Sequence, residues 1–245
     1  MKIFVFRKKI WSVVGCLCLA ACMFWAVNYP AAVGVAATTR QLPIYCVEPE
    51  EGEKKIALSF AAAWGADDTD TLIEILGKYH VRATFFLGGQ GVATYPEEVR
   101  KLAEAGHEIM NHSNNHPYFT QCSTEKVIEE IESCNDKIEA ITGVRPTLVR
   151  CPYGDYNDSV VNTIRSLGME PIQWDVDSLD WKDYDAATIP QRVTEKVGPG
   201  SIVPFPNAAP HPPEALPGIL AYLLGQGSSI LPDRQHVTSG EAGRA

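Results

Sequence analysis

The sequence predicts an α/β domain whose parallel sheet curls into a barrel, preceded by one N-terminal membrane helix. Three observations predict it. Short apolar runs alternate with amphipathic helical segments from residue 54 to 232, polar residues suited to chemistry follow several of those runs, and a long uncharged stretch follows a basic N-terminus. Parallel strands need crossover connections, which the intervening helices supply. Seven such units suit a closed barrel better than an open sheet, and barrel chemistry gathers at the C-terminal ends of strands.

The N-terminal segment, residues 1–36, is set apart by its composition. Lys2, Arg7, Lys8 and Lys9 precede an uncharged run from Ile10 to Thr39. Its most apolar part, Ile10 to Val27, would span about 27 Å as a helix, close to one hydrocarbon core. Basic residues ahead of such a run orient the N-terminus inward, so later residues face the outside of the cytoplasmic membrane. Three outcomes are open: a retained signal anchor, cleavage near the small residues Ala31 to Ala37, or lipidation at Cys22 within Leu19-Ala20-Ala21-Cys22. The continuation of the apolar run through Met23, Phe24 and Trp25 favours the anchor, with the secreted and lipoprotein forms as alternatives.

Residues 37–53 read as a polar linker. The strand runs are Lys55–Phe60, Ala83–Leu87, His107–Asn111, Thr147–Arg150, Pro171–Val176, Ser201–Val203 and Ser228–Leu231. Helices are expected over Thr69–Tyr79, Pro96–Ala105, Ser123–Ile141, Asp158–Leu167, Thr188–Val197 and Pro213–Leu224. Ser123 or Thr124 is placed to cap the long helix and Gly143 to end it. Pro190 fits its helix in the first turn, where a missing N–H costs nothing. Residues 233–245 read as a polar tail.

Composition is ordinary for a globular domain, 45% apolar and 21% charged. The formal net charge of -9 excludes a non-specific nucleic-acid binder, because phosphate backbones need a basic face. Cys46, Cys122, Cys134 and Cys151 lie outside the apolar segment and are open to disulfide pairing or to burial as free thiols.

Candidate chemistry begins after the third strand. His112 and His116 in His-Ser-Asn-Asn-His are four apart and meet on one face of a helical turn. Neutral imidazoles ligate zinc and related ions, but a third protein ligand is needed; alone, the pair reads equally well as a polar loop. The fourth strand ends in Arg150-Cys151-Pro152-Tyr153-Gly154, and the fifth is followed by Asp177-Ser178-Leu179-Asp180-Trp181.

Taken in order, Ser59-Phe60, His112-Ser113-x-x-His116, Arg150-x-Pro152-Tyr153-Gly154 and Asp177-x-x-Asp180-Trp181 resemble the motif series of the polysaccharide deacetylase family, the NodB-homology or carbohydrate esterase family 4 group. The stretch from Asn157 to Lys182 is especially similar to sporulation-type deacetylases of Gram-positive bacteria. The resemblance covers roughly residues 54–227. It implies a distorted (β/α)7 barrel and metal-assisted removal of N-acetyl groups from an N-acetylated glycan such as peptidoglycan or a chitin-like polymer. It makes His112 and His116 ligands of a divalent ion, zinc by donor type, with Asp67 or Asp68 completing the set. Arg150 would orient the base carboxylate, the Tyr153 backbone N–H would help hold the oxyanion, Asp177 would tune the general acid, and Asp180 and Trp181 would complete the motif, with Trp181 walling the acetyl pocket.

The chain departs from that pattern at two positions. The family's base Asp is replaced by Ala61, and Pro206 stands where the general-acid His is expected. A methyl group accepts no proton, and a pyrrolidine donates none. Loss of a general base or acid costs about 10²–10⁴-fold each, with no requirement that the losses add. The expectation is an impaired metal-dependent deacetylase or, alternatively, an inactive glycan-binding or scaffold protein of the cell envelope or spore.

Overall fold

Strand β2, Lys55–Ala62, shows why the sheet curls. Its residues alternate between two apolar environments: Ile56, Leu58, Phe60 and Ala62 pack outward beneath helices, while Ala57 and Ala61 face an inner cluster with Phe86, Met110, Leu148, Ile172 and Ile202. A strand covered on both faces reads as a continuous apolar run, as the sequence does here. The computed structural model describes residues 17–21, 23–24, 40–62, 68–177, 188–206 and 212–243.

The chain divides into two units, residues 1–40 and 41–245. Of the first, residues 17–21 and 23–24 are helical and exposed. Among the described residues no helix is long and apolar enough to cross a membrane; most of the proposed anchor, Cys22 included, lies outside them.

In the second unit, β1 (Cys46–Glu48) precedes β2. There follow α1 (Thr69–Lys78), β3 (Thr84–Leu87), α2 (Gly89–Thr94), α3 (Pro96–Glu104), β4 (Glu108–Asn111), α4 (Thr124–Thr142), β5 (Leu148–Val149), α5 (Asp158–Ser166) and β6 (Glu170–Pro171). The chain continues through α6 (Thr188–Lys196), β7 (Ile202–Pro206), α7 (Pro212–Gly225), β8 (Ser229–Leu231), α8 (Asp233–Thr238) and β9 (Glu241–Gly243). The principal sheet runs β6-β5-β4-β3-β2-β7, all parallel, with β8 also pairing β2. The result is a curled parallel half-barrel with helices outside, the fold class anticipated from the sequence. In α4, the Ser123 hydroxyl accepts the Lys126 N–H, and Gly143 at φ 71° ends the helix.

Besides the unanticipated helix α2, three segments that shape the barrel differ from their sequence reading. Residues 44–48 lie inside the expected linker, yet Ile44 bridges Ile172 and Cys46 bridges Ser201. The Ile44 N–H donates to Pro171 and its carbonyl accepts the Gln173 N–H, both under 3 Å. The segment therefore joins the edge at β6 to the start of β7. Strand β6 is shorter than Pro171–Val176 because Asp175 accepts the Ile202 N–H at 2.7 Å and the Ser201 hydroxyl at 2.8 Å; a side chain takes the place a strand carbonyl would fill.

The third difference is the expected polar tail. Residues 233–238 form α8, with Asp233 and His236 at 0% and 1% exposure. Asp233 N–H donates to Thr84 Oγ1 at 2.7 Å, and His236 Nε2 bonds the Gly200 carbonyl at 3.0 Å. Hydropathy assigns such residues to solvent, whereas here they close the N-terminal end of the barrel. Cys46, Cys122, Cys134 and Cys151 are free thiols.

Candidate functional site

The site is assembled at the C-terminal ends of β2, β4 and β5. Ala61, His112, Arg150, Cys151, Tyr153, Gly154, Trp174, Asp177 and Pro204 line one cavity of about 410 Å³. Of the residues singled out in the sequence, His112, Arg150, Tyr153 and Asp177 line this one cavity together with Ala61. Position 61 also pairs directly with Pro206 across β2 and β7, so the two places where a base and an acid were expected share one rung of the sheet. Asp67, Asp180 and Trp181 lie outside the described residues. Asp68 lines a different, apolar cavity with Phe60, Leu72 and Tyr95, outside the lumen.

His112 follows directly on β4. Its Nδ1 lies 2.8 Å from the Arg150 carbonyl. The carbonyl can only accept, so Nδ1 carries the proton and Nε2 keeps its lone pair. Burial, with His116 nearby as a lesser cause, pushes the His112 pKa down to about 3, which keeps the ring neutral. Burial lowers the His116 pKa too. The two Nε2 atoms stand 3.2 Å apart. Two nitrogens bound to one tetrahedral zinc at about 2.0–2.1 Å would be about 3.3 Å apart. The pair therefore fits two corners of a metal site in spacing and protonation. Among the described residues, no group of three His, Cys, Asp or Glu side chains is placed to hold an ion.

The loop between these histidines is bent rather than helical. Ser113 and His116 have φ of 67° and 59°, a region that costs a non-glycine residue about 1 kcal/mol or more. Glu130 of α4, 1% exposed, offsets that cost. It accepts the Ser113 hydroxyl at 3.1 Å, the Asn114 and Asn115 N–H groups at 3.1 and 2.6 Å, and the Asn115 amide at 2.7 Å. Below it, buried Asn111 accepts the Ser113 N–H and donates to Ile131 and Asn135. Sequence reasoning passed over Glu130, though a signal was there: it interrupts the buried stripe Val127, Ile131, Cys134 and Ile138.

Among the described residues Arg150 is the largest fully buried side chain. Its Nη1 donates to Ser59 Oγ at 2.8 Å, its guanidinium lies 4.1 Å from the Phe86 ring centre, and its ion-pair partner is Asp233 at 3.4 Å. The family pattern pairs this arginine with the base carboxylate, which Ala61 replaces in this chain.

Tyr153 sits in a tight turn at φ 59° and is 56% exposed. It stacks on Tyr118 with ring centres 4.1 Å apart and 15° between planes, and meets the His116 ring edge-on at 4.5 Å. The Gln173 amide donates to the Gly154 carbonyl at 3.1 Å, tying this turn to the segment after β6. The site thus offers two neutral imidazoles, a deeply set cation and an exposed aromatic pair.

The polysaccharide deacetylase family model matches residues 48–172. The peptidoglycan-N-acetylmuramic acid deacetylase PdaC of Bacillus subtilis is 35% identical over 182 residues, covering 74% of this chain and 38% of that protein. The peptidoglycan-N-acetylglucosamine deacetylase PgdA of Listeria monocytogenes is 33% identical, covering 71% and 37%. The chain thus spans about two fifths of these relatives' length. Among solved structures, BA3943 of Bacillus anthracis, a CE4 family pseudoenzyme, matches with TM-score 0.77 at 31% identity, covering 81% of this chain and 70% of that one. A mutant of BA3943 with restored enzymatic activity matches with TM-score 0.76.

Proposed function

Because the chain belongs to the polysaccharide deacetylase family, we propose that it is a cell-envelope glycan-binding domain that retains the deacetylase substrate cleft while its hydrolytic step is disabled. One observation carries this reading: the cavity lined by His112, Arg150 and Tyr153 has a methyl group at position 61, where the family pattern places its base.

Amide hydrolysis needs a water deprotonated as it attacks and an amine protonated as it leaves. His112 is a poor candidate for the first task, since burial holds its pKa near 3 and its Nδ1 proton is committed to the Arg150 carbonyl. Arg150 lacks a lone pair for proton transfer. On the facing rung, proline at 206 brings neither a titratable side chain nor a backbone N–H. A divalent ion held by His112 and His116, zinc by donor type, would polarise an acetyl carbonyl. The chain's own residues would bind and orient the sugar. Tyr118 and Tyr153 form an exposed ring pair suited to the apolar face of a pyranose, beside a cavity wide enough for an N-acetyl group. The relatives named for peptidoglycan favour an N-acetylated wall polymer as ligand, met at the outer face of the cytoplasmic membrane.

The test combines binding and turnover. The chain without residues 1–36 is titrated with N-acetylated glycan oligomers in the presence of Zn²⁺ or Co²⁺, and acetate release is followed in the same samples. Saturable binding, weakened at least tenfold by Tyr118→Ala, with acetate release no greater than that of His112→Ala, is the expected result. Acetate release that His112→Ala abolishes would replace this reading with a working metal-dependent deacetylase, the second possibility that the retained histidine pair supports.

A further inference from the structure

The C-terminal segment brings a charge into the barrel that the deacetylase chemistry does not use. Asp233, at the start of α8, is 0% exposed, and its carboxylate faces the Arg150 guanidinium, itself 1% exposed. An isolated buried charge is expensive, and removing one partner of a buried pair is strongly destabilising. Arg150 therefore requires a counter-ion somewhere in the lumen.

Position 61 and the floor beneath Arg150 are both placed to supply it. Ser59, which accepts from Arg150 Nη1, and Ala61 are two residues apart on β2, so both lie on its inner face. Ala61 and Arg150 line the same cavity. A carboxylate at 61 would approach the guanidinium from the mouth, while Asp233 approaches it from the floor, where its backbone is pinned to Thr84 at 2.7 Å. Arg150 Nε is buried without a hydrogen-bond partner, which leaves a donor for a second carboxylate.

We propose that Asp233 is the relocated counter-ion of Arg150: the negative charge that the family pattern puts at position 61 is delivered here from the opposite end of the barrel by the C-terminal helix, and this positions Arg150 and makes the methyl at 61 tolerable. Arg150 is paired with one carboxylate in either arrangement. Burial pushes the Asp233 carboxyl up to about 6 and Glu108 adds to that, while Arg150 opposes it. Burial brings the Arg150 guanidinium down to about 10.

The test is a coupling measurement between positions 61 and 233. Asp233→Asn strands the guanidinium and lowers Tm by about 10 °C. Ala61→Asp raises Tm in the Asp233→Asn chain and recovers at least half of that loss. In the otherwise unchanged chain the same substitution leaves Tm level or lower, because two carboxylates then share one guanidinium. That change of sign is something a merely structural role for Asp233 would not produce. Equal effects of Ala61→Asp in both backgrounds would overturn the proposal. If Asp233→Asn does not fold, recovery of soluble protein on adding Ala61→Asp is the supporting result and failure to recover it the opposing one. Arg150→Met with Asp233→Leu gives a second reading: the pair of changes is expected to be more stable than Arg150→Met alone, and the reverse order would also overturn it. The inference rests on the family assignment of position 61, but its readout is thermal, so absence of glycan binding would sink the functional reading and leave this one standing.

Discussion

Glu130→Gln should loosen the loop that carries His112 and His116 without removing either ring. Three donors converge on Oε2 of Glu130, from Ser113, Asn114 and Asn115, and a fourth, the Asn115 amide, meets Oε1. Hydrogen bonds to a buried charged group contribute about 1.5–3 kcal/mol and those to a neutral one about 1 kcal/mol. Neutralising Glu130 therefore weakens each of the three Oε2 bonds by roughly 1 kcal/mol, about 3 kcal/mol in all. For a domain of this size that corresponds to a Tm lower by roughly 6–12 °C. The pH dependence provides a second check. Burial alone would raise the Glu130 pKa, but hydrogen bonds from Asn115, Lys126 and Ser113 hold it below its ordinary value of 4.5. A carboxyl with a depressed folded-state pKa contributes stability that is fully present above the unfolded-chain value and is lost as pH falls through the folded one. Urea unfolding of the two proteins at pH 7 and at pH 3 should therefore show a gap that is wide at pH 7 and narrows in acid. A difference below about 0.5 kcal/mol at pH 7, within the range of ordinary surface substitutions, or a gap unchanged at pH 3, would refute the clamp.

Two further predictions follow from burial and backbone geometry. Burial pushes the Cys134 and Cys151 thiols up to about 12, so both should resist a thiol reagent at pH 8 in the folded protein and react in denaturant; rapid labelling of either in the native state would contradict their placement. Gly143 ends α4 at φ 71° with open space around its missing Cβ, so Gly143→Ala should cost about 1 kcal/mol through backbone strain alone, read as a lower urea midpoint with an unchanged slope.

The fold was legible because parallel strands covered on both faces leave continuous apolar runs, and β2, β3 and the helix ended by Gly143 all fall where those runs and stop signals place them. The site was legible where side chains follow strand ends, as with His112, Arg150 and Tyr153. It was not legible where a polar residue is buried by partners far away in sequence. Asp233 meets Arg150 across 83 residues, and Ile44, inside a segment that reads as linker, bridges Ile172. Hydropathy counts Asp233 as surface because it cannot see the counter-charge, and the short run around Ile44 is too brief to announce the strand edge that receives it. The Ala61 and Pro206 substitutions were visible as departures from a motif, but their adjacency across one rung appears only when β2 and β7 pair.

The central claim is that this cleft binds its glycan but lacks the base at position 61 and the acid at position 206 that the family pattern uses to move protons. Its most direct test restores those groups: Ala61→Asp together with Pro206→His, assayed for acetate release from N-acetylated glycan beside the unaltered chain. The account predicts release from the double variant at least a hundredfold above the unaltered chain, abolished again by His112→Ala. Equal release from the two proteins, at a rate that His112→Ala removes from both, would contradict it.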